Sequence, residues 1–215
     1  MSSAALSSKS GTGTPPLASL DLYRLFAACF NQPSPERFAW LSGKEFRGLL
    51  KQLAGELEVG SEAPYAGRFP GYAAYEAAYL ALFEVGLPQP PVPLLESAHT
   101  HRAVPQEIVL ECVNFYDVLG LRPSGSAFPA DHLVTQLEFL AAARYLRESK
   151  GDPEEVAALK NLETDFLERH LLVWLPAAIE KLSPLNPPLF LRLLSLLFAY
   201  ANQQLACIIA KNPFE

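Results

Sequence analysis

The 215-residue sequence contains only three cysteines, and they lie far apart. Cys29, Cys112 and Cys207 form no CxxC pair, which argues against a clustered-thiol metal site and fits a reduced cytosolic protein with buried thiols. The opening residues carry one basic side chain, Lys9, and no apolar run, so they do not match an export signal. Because Ser, Gly, Thr and Pro dominate residues 1–18, we predict that this segment is disordered.

Positive charge is also scarce. The 17 basic residues are outnumbered by 23 acidic ones, which gives a net charge of -6. A nucleic-acid-binding face normally needs a basic stripe, so we predict no nucleic-acid partner. The charge suits a basic peptide, but net charge alone favours the simpler explanation of ordinary solubility. The sequence has neither a GxSxG motif nor a P-loop, and we expect no enzyme built on either of them.

Alternating β-branched runs are scarce as well, whereas Leu and Ala dominate and 50% of the residues are hydrophobic. Apolar spacing predicts one all-α domain of eight or nine helices over residues 19–215. Its helices are expected over 19–30, 35–43, 44–57, 72–83, 105–119 and 131–149, from 153, around Pro176, and after 188. The segment 189–211 is apolar enough to suggest a membrane span. Since Arg192 and the polar run 202–204 interrupt it, we predict a core helix instead.

The run Pro129-Ala130-Asp131-His132-Leu133 places an acid and a histidine at the start of a predicted helix. We expect this pair to be exposed. Glu138 follows Asp131 by two helical turns, about 10.5 Å along one face. The pair could be a recognition surface or a catalytic dyad, and helix capping alone would account for Asp131.

A second candidate region surrounds the proline-rich run 88–93. The helix before it carries an aromatic face, which is usually core but can wall a peptide groove. We assign Tyr79 and Phe83 to such a groove. The run Pro93-Leu94-Leu95-Glu96-Ser97 follows, and its carboxylate could pair with an incoming Arg or Lys.

His99 and His101 could join Asp131 and His132 in a small metal-dependent hydrolase, which is the alternative function. Their spacing matches no recognisable zinc site, so we predict no metal and no cofactor. His170 and Trp174 are four residues apart, and we expect a packed contact between them.

These motifs, taken in order, resemble the TorD/DmsD/NarJ family of chaperones that mature molybdenum-containing redox enzymes. The resemblance covers about residues 19–210, and Gln136 departs from it because the family often has Glu there. It rests on the following segments: Tyr79-x-x-Leu82-Phe83, Pro93–Ser97, Pro129–Leu133, Leu137-Glu138-Phe139 and Phe166-x3-His170-x3-Trp174.

The resemblance implies an all-α, non-enzymatic cytoplasmic protein, a monomer or homodimer without stable membrane insertion. It would bind the twin-arginine signal peptide or the apo form of a molybdopterin-containing reductase or dehydrogenase until the cofactor is inserted. In this interpretation Glu96, Asp131 and Glu138 meet the arginines, and an aromatic wall receives the apolar segment. The complete expected site is Tyr79, Leu82, Phe83, Pro93, Glu96, Ser97, Asp131, His132 and Glu138.

Overall fold

A computed structural model describes residues 21–59, 69–100, 104–121 and 128–210. The predicted disordered segment 1–18 and His101 lie outside these ranges. Within them the chain forms nine α-helices and no strand, which confirms the all-α prediction. The helices are α1 Leu22–Phe30, α2 Pro35–Ser42, α3 Lys44–Glu56, α4 Tyr72–Phe83, α5 Pro105–Val118, α6 Leu133–Ser149, α7 Pro153–Phe166, α8 Leu172–Leu182 and α9 Pro188–Ala210.

Local signals set most helix ends. Ser34 Oγ accepts a hydrogen bond from Arg37 N at 3.1 Å, and Asp152 caps α7 in the same way. The first helix begins at Leu22 rather than Ser19, because the Asp21 carboxylate accepts from Arg24 N and starts the helix there. Gly120 follows the end of α5 with φ +66°, the left-handed conformation that ends many helices.

The core forms where α9 packs against aromatic residues of α4. The Phe190 ring lies 5.9 Å from the Tyr75 and Tyr79 rings and 5.1 Å from the Phe83 ring, measured between centroids. Phe190 is completely buried. Helix α1 also packs on α6, and α6 packs on α7.

Helix α9 is the one described helix that is long and apolar enough to cross a membrane. Its apolar residues Leu193, Leu194, Leu196 and Leu197 are all fully buried inside the protein. One face of α9 therefore packs into the core, as predicted for a core helix.

We expect Phe190→Ala to lower the free energy of unfolding by about 3–5 kcal/mol, because it opens a cavity among packed rings. Urea unfolding of both proteins measures this. Tyr145→Ala is the control, since that ring is 63% exposed and its loss should change stability by no more than about 0.5 kcal/mol. Equal losses in the two variants would contradict the proposed core.

Candidate functional site

A cavity of about 520 Å³ lies between the end of α4, the proline-rich loop after it and the loop that leads into α6. We call this cavity the groove. Four of the predicted site residues line it: Phe83, Pro93, Ser97 and His132. The other predicted residues either support its walls or lie elsewhere.

The proline-rich loop forms one wall by folding back onto α4. Val92 N donates a hydrogen bond to Leu82 O at 2.9 Å. The turn also needs a glycine, because a Cβ on Gly86 would lie 2.3 Å from Gln89 O. Pro90 and Pro93 line the groove and have no N–H, so this wall offers a ligand mainly apolar surface.

A short antiparallel bridge joins two of the loops that line the groove. Leu95 pairs with His132. Glu96 N donates to Asp131 O at 3.0 Å, and Leu133 N donates to Leu94 O at 2.9 Å. The bridge fixes the spacing of the two walls through the backbone.

Asp131 is buried, so the exposure predicted for the Asp131–His132 pair is wrong. Its side chain is 1% exposed, and its Oδ2 accepts a hydrogen bond from Ser97 N at 3.1 Å. It therefore stabilises the opposite loop rather than capping the helix. The N-cap of α6 is His132, whose Nδ1 accepts from Val134 N at 3.1 Å.

His132 is held in one state and one orientation. Its ring stacks on Phe128 with centroids 4.1 Å apart and planes 9° apart. Burial lowers the pKa of His132 to about 4, so the imidazole is neutral near pH 7. Because Nδ1 accepts a bond, the proton is on Nε2. The groove wall thus contains one imidazole N–H donor.

The carboxylate of Glu96, which was expected to meet an arginine, is fully buried and bonded within the protein. His170 Nδ1 lies 3.0 Å from Glu96 Oε2, and Gln136 Nε2 donates to the same oxygen at 2.6 Å. A π-helical turn over Leu167–Leu171 carries His170, and such turns often occur at functional sites.

The polar network continues from Glu96 back to the groove wall. Gln136 Oε1 accepts from Trp174 Nε1 at 3.0 Å. The Trp174 ring stacks on His99 with centroids 5.4 Å apart. His99 Nε2 donates to Pro93 O at 2.7 Å. Gln136 was noted in the sequence only as a departure from the family pattern, yet it is the link between the acid and the aromatic rings.

Three further predicted residues lie outside the groove lining. Tyr79 is fully buried, and its hydroxyl donates to Phe30 O at 2.7 Å, which joins α4 to α1. Leu82 is half-buried against the core. Glu138 is on the exposed side of α6, whereas Asp131 is buried before that helix, so the two carboxylates do not share a face. A role for Glu138 in binding stays a prediction.

One group of described residues could hold a metal ion by composition. The donor atoms of Glu96, Cys112 and His170 lie within 4.8 Å of one another. His170 and Gln136 already bond the Glu96 carboxyl group, and burial raises the pKa of the Cys112 thiol to about 12. The contacts that the structure shows among these three side chains are hydrogen bonds within the protein.

The residues of the alternative metal site are used in the same way. Asp131 accepts from Ser97, His132 caps α6, and His99 donates to Pro93. Their ligand atoms do not converge on a common point among the described residues. Three of the four residues of the alternative site are thus engaged in hydrogen bonds within the protein, and the fourth, His101, lies outside the described residues.

Residues 43–180, more than half of the chain, match the family model described as nitrate reductase delta subunit. The chain belongs to this family of maturation chaperones. It is 29% identical over 170 residues to the perchlorate reductase assembly chaperone protein of Dechloromonas aromatica (strain RCB), which covers 74% of this chain and 75% of that protein.

Two other relatives in this family match over shorter stretches. The chlorate reductase assembly chaperone protein of Ideonella dechloratans is 36% identical over 49% of this chain and 56% of its own length. The selenate reductase assembly chaperone protein of Thauera selenatis is 37% identical over 47% of this chain and 53% of its own length. The chain thus spans little more than half the length of these two proteins.

The lowered pKa of His132 predicts a loss of stability in acid. The unfolded chain binds this proton near pH 6.5 and the folded chain only near 4, so folding stability falls as the pH drops through that interval. The loss at about pH 5 should be about 2 kcal/mol. His132→Asn keeps a cap but does not titrate, so urea unfolding at about pH 7 and about pH 5 should show a smaller loss than wild type. Equal losses would contradict a buried neutral imidazole.

Gln136→Glu should make stability depend on pH in the opposite direction. The new carboxylate would face Glu96, and the pair would share one proton with a raised pKa. The variant is then most stable at low pH, and its free energy of unfolding falls as the pH rises, by about 1–3 kcal/mol at alkaline pH relative to wild type. Urea unfolding across pH measures this, with Gln203→Glu as the control because Gln203 is exposed. If the difference in the free energy of unfolding between variant and wild type does not change with pH, the contact between the side chains at positions 96 and 136 is excluded.

Proposed function

We propose that this chain is a cytoplasmic chaperone for a molybdopterin-containing reductase. It binds the twin-arginine signal peptide or the apo form of the enzyme until the cofactor is inserted. Family membership and relatives named as reductase assembly chaperones support a maturation role. The observation that carries the binding mode is the groove, whose walls are joined by the Leu95–His132 bridge.

The chemistry of the groove suits an extended, mostly apolar peptide. Its walls include Phe83, Leu94 and Phe128, and its prolines have no backbone N–H groups to donate. The His132 Nε2–H can donate to a peptide carbonyl, which fixes register without adding charge. Grooves of this kind take affinity from apolar side chains and orientation from a few polar groups.

The role of the buried residues in this proposal is to position the walls. Asp131 holds the Ser97 amide, and Glu96 connects the same loop to α6 and to the π-helical turn. Neither carboxylate reaches the client. We propose that Phe83, Pro93, Ser97 and His132 contact the peptide directly and that Asp131 and Glu96 act through them.

Filling the groove tests this function. Ser97 lines the groove and bonds Asp131 through its backbone N–H, so Ser97→Arg keeps that bond while placing a long charged side chain in the cavity. The probe is a fluorescent peptide with two adjacent arginines followed by about ten apolar residues. We expect its affinity to fall by at least tenfold, which corresponds to about 1.4 kcal/mol.

The matched control is Ser149→Arg, which adds the same charge at an exposed position at the end of α6. It should bind the peptide as wild type does, and thermal melts should show that both variants are folded. If Ser97→Arg binds the peptide with wild-type affinity, the groove is not the client site.

A further inference from the structure

We infer that the carboxylate of Glu84, together with the side-chain amide of Gln32, forms a subsite at the edge of the groove that binds an arginine side chain of the client peptide. This inference rests on the proposed peptide-binding function and assigns to Glu84 the contact that the sequence suggested for other acids. Both residues line the groove, at its boundary with solvent.

The first argument is elimination among the carboxylates near the groove. Glu96 and Asp131 are buried and bonded within the protein, and Glu138 is not part of the described lining. Glu84 is the one acidic side chain among the described residues that line the groove, and those residues include no Lys or Arg. His132, the other titratable group there, is neutral near pH 7. The fixed charge of the described lining is therefore a single negative charge.

The second argument is the position of Glu84 in the fold. It is the C-cap residue of α4, directly after Phe83. The C-terminal end of a helix carries a partial negative charge, which disfavours an acid there and favours a cation. Glu84 therefore costs the free protein some stability, and the helix end adds to the attraction for a bound cation.

The third argument concerns which cation fits. Within the described part of the chain, the side chain of Glu84 has one hydrogen bond, a long one of 3.4 Å from Gln32 Nε2 to its Oε1. That bond leaves Glu84 Oε2 and the amide oxygen of Gln32 as acceptors. A guanidinium offers several donors in one plane, whereas an ammonium is a point charge, so two neighbouring acceptors favour arginine over lysine.

The fourth argument is the neighbourhood of the subsite. Phe83 is next to Glu84 in sequence and lines the groove. A peptide with an arginine beside apolar residues can therefore place the arginine at Glu84 and the apolar side chains near Phe83. A client segment that is cationic and then apolar is the occupant this arrangement selects. The net charge of -6 adds long-range attraction for such a segment.

The test is a double-mutant cycle in which Glu84 of the protein and the arginines of the peptide are replaced separately and together. The probe is the fluorescent peptide with two adjacent arginines, and its variants have both arginines replaced by glutamine or by lysine. Glu84→Gln should bind the arginine peptide about three- to tenfold more weakly than wild type at low salt, with a smaller difference at high salt. The same substitution should leave the glutamine peptide unaffected. Since the helix end disfavours an acid, Glu84→Gln should melt at the same or a higher temperature than wild type.

The matched control is Glu56→Gln. Glu56 is also an exposed glutamate at a helix C-terminus that accepts from a glutamine side chain, Gln52 Nε2, at 3.2 Å, but it does not line the groove. It should leave the affinity of every peptide unchanged. The Ser97→Arg variant serves as the groove-filled reference.

The outcomes separate this inference from the proposed function. If wild type binds the arginine peptide, Ser97→Arg abolishes binding and Glu84→Gln has no effect, the groove stands and the arginine subsite is overturned. If Glu84→Gln weakens the binding of the arginine and glutamine peptides equally, the inference is also overturned, because Glu84 and the arginines are then not energetically coupled. Equal affinity of wild type for the lysine peptide overturns the preference for a guanidinium. If wild type binds none of the peptides, both proposals fail.

Discussion

The structure around the groove depends on one buried carboxyl group. Such a polar group in a protein interior is tolerated only when hydrogen bonds replace its water, and the Glu96 carboxyl group obtains them from Gln136 and His170. Those partners lie on α6 and on the π-helical turn before α8. The requirement to satisfy this one acid therefore holds three separate parts of the chain in a fixed relation.

That requirement explains why the groove can be apolar and still well defined. Its polar contacts lie beneath its walls rather than inside them: the Glu96 network runs through Gln136 and Trp174 to His99, which bonds the Pro93 carbonyl. These bonds restrict the side chains of the network to one arrangement, and among the described residues the Nε2 atom of His170 is buried without a hydrogen-bond partner. The side chains that line the groove take no part in this network, so they can vary without disturbing it.

The sequence predicts local features well, because they depend on neighbouring residues. The bounds of α4, the Ser34 and Asp152 caps and the end of α5 at Gly120 all follow from capping and apolar spacing within a few residues. The all-α class follows from the same signals summed along the chain. Four of the residues that the family resemblance implied lie together in the lining of one groove, and their role in binding stays a prediction.

The roles of the polar residues were not predictable in the same way. Asp131 and Glu96 look like exposed acids in the sequence, yet each is buried by a partner far along the chain: Ser97 is 34 residues from Asp131, and His170 is 74 residues from Glu96. Sequence spacing carries no information about such contacts. The same limit applies to Glu84, an ordinary residue in the sequence that only the folded loops bring to the edge of the groove.

The backbone bridge between Leu95 and His132 determines which of two binding partners loses more conformational entropy when they associate. Because the two walls are already joined, the protein has little conformational freedom left to lose at this site. The segment that enters must give up its own, at about 1–2 kcal/mol for each backbone residue that it orders. A segment already packed into a folded enzyme would first have to be pulled out, at a further cost in folding free energy. Under the proposed function, a rigid groove would thus discriminate by the state of the client as well as by its composition, and it would bind a segment most tightly while that segment is still unfolded.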